Sequence, residues 1–541
     1  MRYHAPVTFN WLSNLAFFVA PRLRQRAELR ATWGRVVEPD DWLASRSFDL
    51  LRTESRADWV DDRTWRDLEF PRIFSDLNTT ITPIGRQYLY KQLRRYEYSA
   101  EILSQRTQAY EVLRADNLLR ESLQLALKPL ESDSTANIAD ALLGSPPEKP
   151  KHDKLIYAWA LCSLTALLST LVFSLSLWIV AIVLGINAVV LLASSPKRNR
   201  DAQTLITCGS MLGIADKLGA LKGNARIASL DELATEAPKR VGLRKNVRLL
   251  ASLAGNPALA GVALFLDLCC LAKLVTFIRT VDRFVRLRHE WVSTYELVGS
   301  IDAAIAISSF LHRTSRYCRP SISFTPIISM ESGFHPLIHQ PVAHSVTLNG
   351  RSALVTGSNM AGKTTFVKMI GTNIVLGHTL GICLADSAII PKSSVMASIR
   401  GDQSVETGES RFSSEVKAIR EFIDSASRGE CGVFVIDEIF SATNTIERVA
   451  AAKAVLSAIS RRAQVLATTH DVELQQLLAP DFDLFHFQEN LDVEGFFDFK
   501  LHSGISTQRN AIRVLERMGI PEEIIGEALA LVAGQSHKDT R

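Results

Sequence analysis

No charged side chain occurs from Leu155 to Pro196, and that gap is the strongest feature of the hydrophobic pattern. A bilayer crossing takes about 20 apolar residues, so the stretch predicts two short helices with a tight turn near Ser174, Leu175 and Ser176. Lys151 and Lys154 precede it, and Lys197, Arg198 and Arg200 follow it. Positive residues at both mouths predict a hairpin with both ends on the cytoplasmic side. Tyr157 and Trp159 are expected as interface anchors, and Asn187 as a hydrogen-bonding residue inside. A second apolar stretch, Ala258 to Ile278, carries Asp267 and Lys273, which are costly in lipid. It predicts a buried or membrane-surface helix. A shorter run, Leu12 to Ala20, is followed by Pro21 and a basic cluster, which suits a buried or surface helix better than a signal peptide.

Elsewhere two textures alternate. Leu68 to about Leu127 has apolar residues at threes and fours, with Pro83 opening a helix after the Thr79–Thr82 turn. Leu142 to Asp153, with Gly144, Pro146, Pro147 and Pro150, reads as a linker. Asn199 to about Tyr317 predicts long helices. Then short β-branched runs (Ser345–Leu348, Ala353–Thr356, Val433–Ile436, Val465–Thr468) alternate with helical stretches, the pattern of an α/β unit with a mostly parallel sheet.

A length of 541 residues implies several folding units, and 47% apolar against 22% charged residues supports a sizeable core. The formal net charge of +4 neither demands nor excludes a nucleic-acid partner. Seven scattered cysteines without a CxxC pair argue against a zinc site or a disulfide framework, and suit a reducing compartment.

The chemistry concentrates after Ser345. Gly357-Ser358-Asn359-Met360-Ala361-Gly362-Lys363-Thr364 is a full GxxxxGK[ST] phosphate-binding loop between a predicted strand and a predicted helix. Its glycines let backbone N–H groups and the helix N-terminus face an anion. With Thr365 these residues form the predicted nucleotide cradle; Lys363 supplies charge to the β- and γ-phosphates, and the Thr364 hydroxyl is placed for Mg²⁺. Val433–Ile436 ends in Asp437-Glu438, where the first acid suits the Mg²⁺ shell and the second can orient and deprotonate a water. Val465–Thr469 ends in His470, a candidate sensor of the γ-phosphate or water.

With these pieces in order the chain resembles the MutS family of ABC-type ATPases. Asn359-Met360 fills the phosphate loop as in that family, Asp437–Asn444 resembles its extended acidic motif, and Thr468–Asp471 its switch histidine. Gly408–Glu415 resembles the loop that reaches across a MutS dimer, which implies that Ser410 touches the partner's γ-phosphate. Tyr317–Pro320 and Phe334–Ile338 resemble the entry to the ATPase domain, where Ile322 is a candidate to pack the adenine. Gly504–Ser506 and Gly519–Glu522 resemble the C-terminal tail, and Asp76–Asn78 with Thr82–Gly85 the start of the core lever domain. The sequence departs from the family at Ala361, at Ser441-Ala442 and at Ser410-Arg411. No wedge for reading mismatches occurs before Leu68, and the apolar hairpin stands where MutS proteins carry a DNA clamp. The arrangement resembles the membrane-associated MutS-related branch.

The resemblance implies an α/β P-loop ATPase domain of ABC/MutS type joined to an all-α lever domain, which a transmembrane helical hairpin interrupts. The expected divisions are 1–66 of uncertain fold, 67–150 and 201–320 as lever segments, 151–200 as the hairpin, and 321–541 as the ATPase domain with its helical tail. It implies ATP and Mg²⁺ as ligands, a homodimer, and a membrane-anchored ATPase. A DNA-binding repair ATPase is the alternative, for which the Arg279–Arg288 cluster speaks. A transporter is weaker, since two crossings per subunit are few and a Leu-Ser-Gly-Gly-Gln loop is missing.

Overall fold

In the computed structural model the chain divides into two compact units. The structure describes residues 21–35, 58–173, 176–192, 196–223, 226–255, 260–314, 316–357, 361–399, 411–440, 444–489, 497–505 and 519–536. Expectations for Leu12–Ala20, Ser174 and Leu175, Ser358–Met360, Gly408–Ser410, Ser441–Thr443 and Ser506 lie outside these residues. One unit takes Met1–Thr53, Phe74–Gln92 and Gln105–Thr314; the other takes Glu54–Ile73, Leu93–Ser104 and Ser315–Arg541. Residues 67–73 and 93–104, read from sequence as lever, therefore group with the ATPase half, and the segment 1–66 is split between the two units.

Helices occur in the order α1 (Pro21–Thr32), α2 (Asp62–Asp67), α3 (Phe70–Leu77), α4 (Pro83–Arg94), α5 (Ala100–Ala115), α6 (Asn117–Leu127), α7 (Asn137–Leu143), α8 (Asp153–Phe173) and α9 (Leu177–Leu192). They continue as α10 (Pro196–Ala220), α11 (Ala228–Thr235), α12 (Ala237–Gly255), α13 (Ala260–Cys270), α14 (Ala272–Arg286) and α15 (Arg288–Arg313).

The helical unit is organised on α15, which is buried along Trp291, Tyr295, Val298, Ile301 and Ile305. Its buried Asp302 accepts from the Ile81 and Thr82 N–H groups at 3.0 and 2.8 Å and from the Thr82 hydroxyl at 2.7 Å. The Thr82 hydroxyl in turn accepts from Gly85 N–H at 2.9 Å, so Thr82 caps α4 and Pro83 opens it. Burial pushes the Asp302 carboxyl up to about 6, against the lowering by these donors. A Cβ at position 85 would meet the Asp302 carboxylate at 2.2 Å and its Cβ at 2.6 Å. Gly85→Ala should therefore destabilise the protein by roughly 1–3 kcal/mol through overpacking. Urea unfolding checks this against Gly261→Ala, where a Cβ meets nothing within 4 Å; equal midpoints would refute the contact. Helix α1 belongs here too. Arg30 pairs with Glu121 at 2.5 Å, and the Arg120 guanidinium lies 3.8 Å from the Trp33 ring centre.

The charge-free stretch forms α8 and α9. Helix α8 has a mean hydropathy of 1.9 with only 11% of its apolar window buried, and it is long enough to cross a membrane. Helix α9 is also apolar but has only 16 residues. Helix α15 passes the same test of length and composition, yet 83% of its window is buried, so it is a core helix. Asn187 on α9 is fully buried; it accepts from Trp159 Nε1 at 2.8 Å and donates to the Leu268 carbonyl on α13 at 2.7 Å. Trp159 is half-buried, its indole N–H taken up by Asn187. The stretch expected as a single helix over Ala258–Ile278 is two, α13 and α14, bent by 85° at Leu271. Leu271 has φ 51°, and Asp267 accepts from Lys273 N–H at 2.6 Å. The acid caps a freed helix end at the break.

The second unit holds two sheets. Strands β1 (Ser321–Ser323), β2 (Ile327–Gly333), β3 (His344–Asn349) and β5 (Ser387–Pro391) form one, in the order β1-β5-β2-β3. The other runs β10-β9-β4-β8-β7-β6, with β4 (Ser352–Thr356), β6 (Val395–Ser398), β7 (Val433–Asp437), β8 (Gln464–Thr469), β9 (Phe482–Glu489) and β10 (Phe497–Ser503). All its pairings are parallel except β9 with β10. The helices here are α16 (Lys363–Thr379), α17 (Arg411–Arg428), α18 (Thr445–Ser460), α19 (Val472–Leu478) and α20 (Glu522–Ser536). Phe422, Phe434, Leu456, Val465 and Phe482 form a buried core. Three of the four runs expected as strands lie in the parallel sheet; Ser345–Leu348 belongs to the other. At the outer edge, β6 is covered by α2: Ala397 N–H donates to the Thr64 hydroxyl and Ile399 N–H to Asp67, both at 2.8 Å. Val395 N–H donates to the Tyr96 hydroxyl at 3.1 Å.

Candidate nucleotide site

The central strands β4, β8 and β7 are parallel and fully buried, so their C-terminal ends present Thr356-Gly357, Thr469-His470 and Asp437-Glu438 on one rim. Ligands of open α/β sheets bind at such carboxyl ends. The chain leaves β4 at Gly357 with φ 131°, and a Cβ there would meet the Phe487 carbonyl oxygen at 2.6 Å. Gly362, at φ 102°, then sets the start of α16. Only glycine occupies both conformations without strain. Ala361 is buried, and Thr365 lies half-buried in the first turn of α16.

Lys363 is buried to 1% exposure and donates to the Gly357 carbonyl. Its ammonium is 3.8 Å from Glu438 Oε1. The Thr364 hydroxyl donates to Asp437 Oδ1 at 3.0 Å, and that same oxygen accepts from the Thr468 hydroxyl. Successive residues of a strand point to opposite faces. Glu438 breaks that alternation: its φ is 51°, and its N–H donates to the Thr468 carbonyl oxygen at 3.2 Å. Both acids thereby reach the start of α16. His470, about half exposed, places Nδ1 3.6 Å from Glu438 Oε1 and Nε2 3.9 Å from Asp471 Oδ1.

The described residues of the predicted set are thus brought together: Gly357, Ala361, Gly362, Lys363, Thr364, Thr365, Asp437, Glu438 and His470. Ser358, Asn359, Met360 and Ser410 lie outside the description. Ile322 is not among them. It sits on β1 opposite Ile390, and its neighbour Pro320 lies beside Gly377. Gly377 is 14 residues along α16 from Lys363, or about 21 Å of helix. The aromatic surface near the loop comes from His344, Phe366 and Phe487, with ring centres 5.5–6.0 Å apart. Two further residues escaped the sequence reading. Thr468 holds both acids, and the paired hydroxyls of Thr468-Thr469 at a strand end were a usable signal. Arg448 grips Asp471 through two hydrogen bonds, at 2.9 and 2.6 Å. Burial would raise the Asp471 carboxyl, but the Arg448 guanidinium holds it below the usual carboxylate range. No sequence spacing announces that pair.

The donors fit Mg²⁺ with a nucleotide. One hydroxyl and one carboxylate 3.0 Å apart suit an ion whose other ligands are phosphate oxygens and waters. Among the described residues no cluster of His, Cys, Asp or Glu could hold a metal by itself.

The fold and site define a P-loop nucleotide-binding domain of the ATPase class. Residues 353–534 match the family described as MutS domain V. Curated relatives include Endonuclease MutS2 of Clostridium botulinum (strain Loch Maree / Type A3), 29% identical over 248 residues, or 44% of this chain and 31% of that protein. Endonuclease MutS2 of Thermus thermophilus is 26% identical over 345 residues, 59% of this chain and 45% of that protein. The Carboxydothermus hydrogenoformans protein of the same name is 28% identical over 253 residues, 45% of this chain and 32% of its own length. The chain therefore spans less than half the length of these curated relatives. The family match covers residues 353–534, the ATPase domain, and it is this part of the chain that is similar to MutS proteins.

Proposed function

We propose that the chain binds and hydrolyses Mg-ATP as a MutS-type ATPase and that this cycle drives its helical unit. The observation that carries the reading is the convergence of Lys363, Thr364, Asp437 and Glu438 at one sheet rim. The loop from Gly357 to Thr365 and the Lys363 ammonium bind the phosphates. Thr364 and Asp437 hold Mg²⁺, which would neutralise developing phosphate charge. Thr468 fixes Asp437 in place. Glu438 orients the attacking water and takes its proton. His470 faces Glu438 at the open side and senses the γ-phosphate. Ser410 of a second copy completes the site, so the active form is a homodimer. The unit boundaries after Ile73, Gln92 and Ser104 fall inside α3, α4 and α5, which supports transmission along continuous helices.

Two readings concern what the cycle acts on. The relatives are named endonucleases, and this favours a DNA-directed ATPase over a membrane-tethered one. The membrane reading keeps a specific observation of its own. Leu161, Leu171, Val172 and Phe173 on α8, and Leu177, Trp178, Val189 and Leu192 on α9, are all more than half exposed. An apolar surface this continuous calls for a partner. In this reading α8 and α9 cross the membrane as a hairpin, and the N-terminus and ATPase domain face the cytoplasm.

The test is the ATPase rate of full-length, detergent-purified protein, alone, with duplex DNA and with lipid vesicles. Mg²⁺-dependent turnover stimulated by duplex is the expected result. Stimulation by vesicles but not by duplex reverses the order of the two readings, and absence of Mg²⁺-dependent turnover defeats both.

A further inference from the structure

Helices α12 and α14 frame an open cavity of about 470 Å³ lined by Asn246, Arg279, Asp282, Arg283, Arg286 and Leu287. Among the described residues no carboxylate forms an ion pair with Arg279, Arg283 or Arg286. The acid in the lining is already taken: Asp282 pairs with Lys149 at 2.9 Å, and Lys149 also holds Asp153 at 2.9 Å. Three arginines against one carboxylate, itself held by Lys149, leave the lining net positive. Backbone shape supports it. A Cβ at Gly242 on α12 would come within 2.6 Å of Arg283 Nη2, so the glycine leaves room for that guanidinium.

Its position is informative. The Arg279 guanidinium lies 5.8 Å from the ring centre of Tyr157, in the second turn of α8. The exposed apolar side chains of α8 begin at Leu155, which is 67% exposed. Helix α13, which leads into α14, exposes Val262, Leu264 and Phe265. The three arginines thus stand where lipid-compatible surface gives way to charged surface, the level of a phosphate layer under the membrane reading.

We propose that this cavity binds the phosphate headgroup of an anionic glycerophospholipid, an inference that rests on α8 and α9 entering the membrane. Concavity separates this ligand from duplex DNA. A volume of this size suits one small-molecule-sized headgroup, whereas a duplex is gripped by phosphate contacts spread along its length. Guanidinium donors bind phosphate oxygens in pairs, and three around one cavity supply more donors than a single phosphate accepts.

The experiment is flotation of full-length protein on phosphatidylcholine vesicles, with and without phosphatidylglycerol, comparing wild type with Arg283→Gln/Arg286→Gln. The wild type should prefer the anionic vesicles. The double variant should lose roughly tenfold to thirtyfold of that preference, from two arginines at an anionic surface, while its binding to neutral vesicles is unchanged. Lys245→Gln/Arg248→Gln, at two exposed sites outside the lining, controls for net charge, and Arg283→Lys/Arg286→Lys should restore most of the preference. Equal anionic preference in wild type and double variant overturns the headgroup site while the hairpin reading stands. Flotation on neither vesicle overturns both. Inorganic phosphate that removes the anionic preference at millimolar levels assigns the cavity to free phosphate, and loss of duplex binding in the double variant assigns it to nucleic acid; either result overturns the lipid assignment.

Discussion

Glu438→Gln protein is expected to bind ATP with near-normal affinity and to turn it over on the order of a hundredfold to ten-thousandfold more slowly, the loss that follows removal of a general base. The substitution keeps the size of a side chain that is buried between Lys363 and His470, so the cradle keeps its shape. What disappears is the carboxylate assigned to take the proton from the attacking water. Nucleotide affinity by fluorescence titration and a single-turnover rate separate the two effects. If the single-turnover rate is that of wild type, Glu438 has no part in the chemistry.

Lys363→Met should show the opposite division, with binding itself lost. The Lys363 ammonium is almost wholly buried, held by the Gly357 carbonyl and facing Glu438. With ATP bound, that ammonium meets the β- and γ-phosphates, and truncating one partner of a buried charge pair at a binding interface costs about 3–5 kcal/mol. That corresponds to a fall in ATP affinity of at least about a hundredfold. Far-ultraviolet circular dichroism should be unchanged, because methionine is close in length and volume to the buried lysine stem. Retained affinity for ATP in a folded Lys363→Met protein would remove the phosphate loop from its assigned role.

The site was legible because its residues stand at the ends of parallel strands, and such strands are short apolar runs that end in polar turns. Ala353–Thr356, Val433–Ile436 and Val465–Thr468 each mark one such end, and the sheet brings the three together. The contribution of Thr468 depends on strand register, set opposite Asp437, and register is a property of two strands that neither reveals alone. The same reasoning explains Ile322. Its place in the chain suggested the nucleotide, but pairing with β5 draws it beside the far end of α16. The unit boundaries were misread for a different cause. Residues up to 66 read as of uncertain fold and those from Leu68 as ordinary helix, and neither pattern says that Thr64 and Asp67 are spent on strand amides more than 300 residues away.

The cover on β6 has a practical consequence for dissecting this protein. A fragment cut to begin at Ser315 would keep the whole phosphate loop and both acids yet leave the amides of Val395, Ala397 and Ile399 bare along an outer strand. Such an edge is a template for foreign strands, so the excised piece should precipitate or form ladders with itself. Solubility should return when the stretch from Asp58 to Ser104 is supplied, even as a separate peptide.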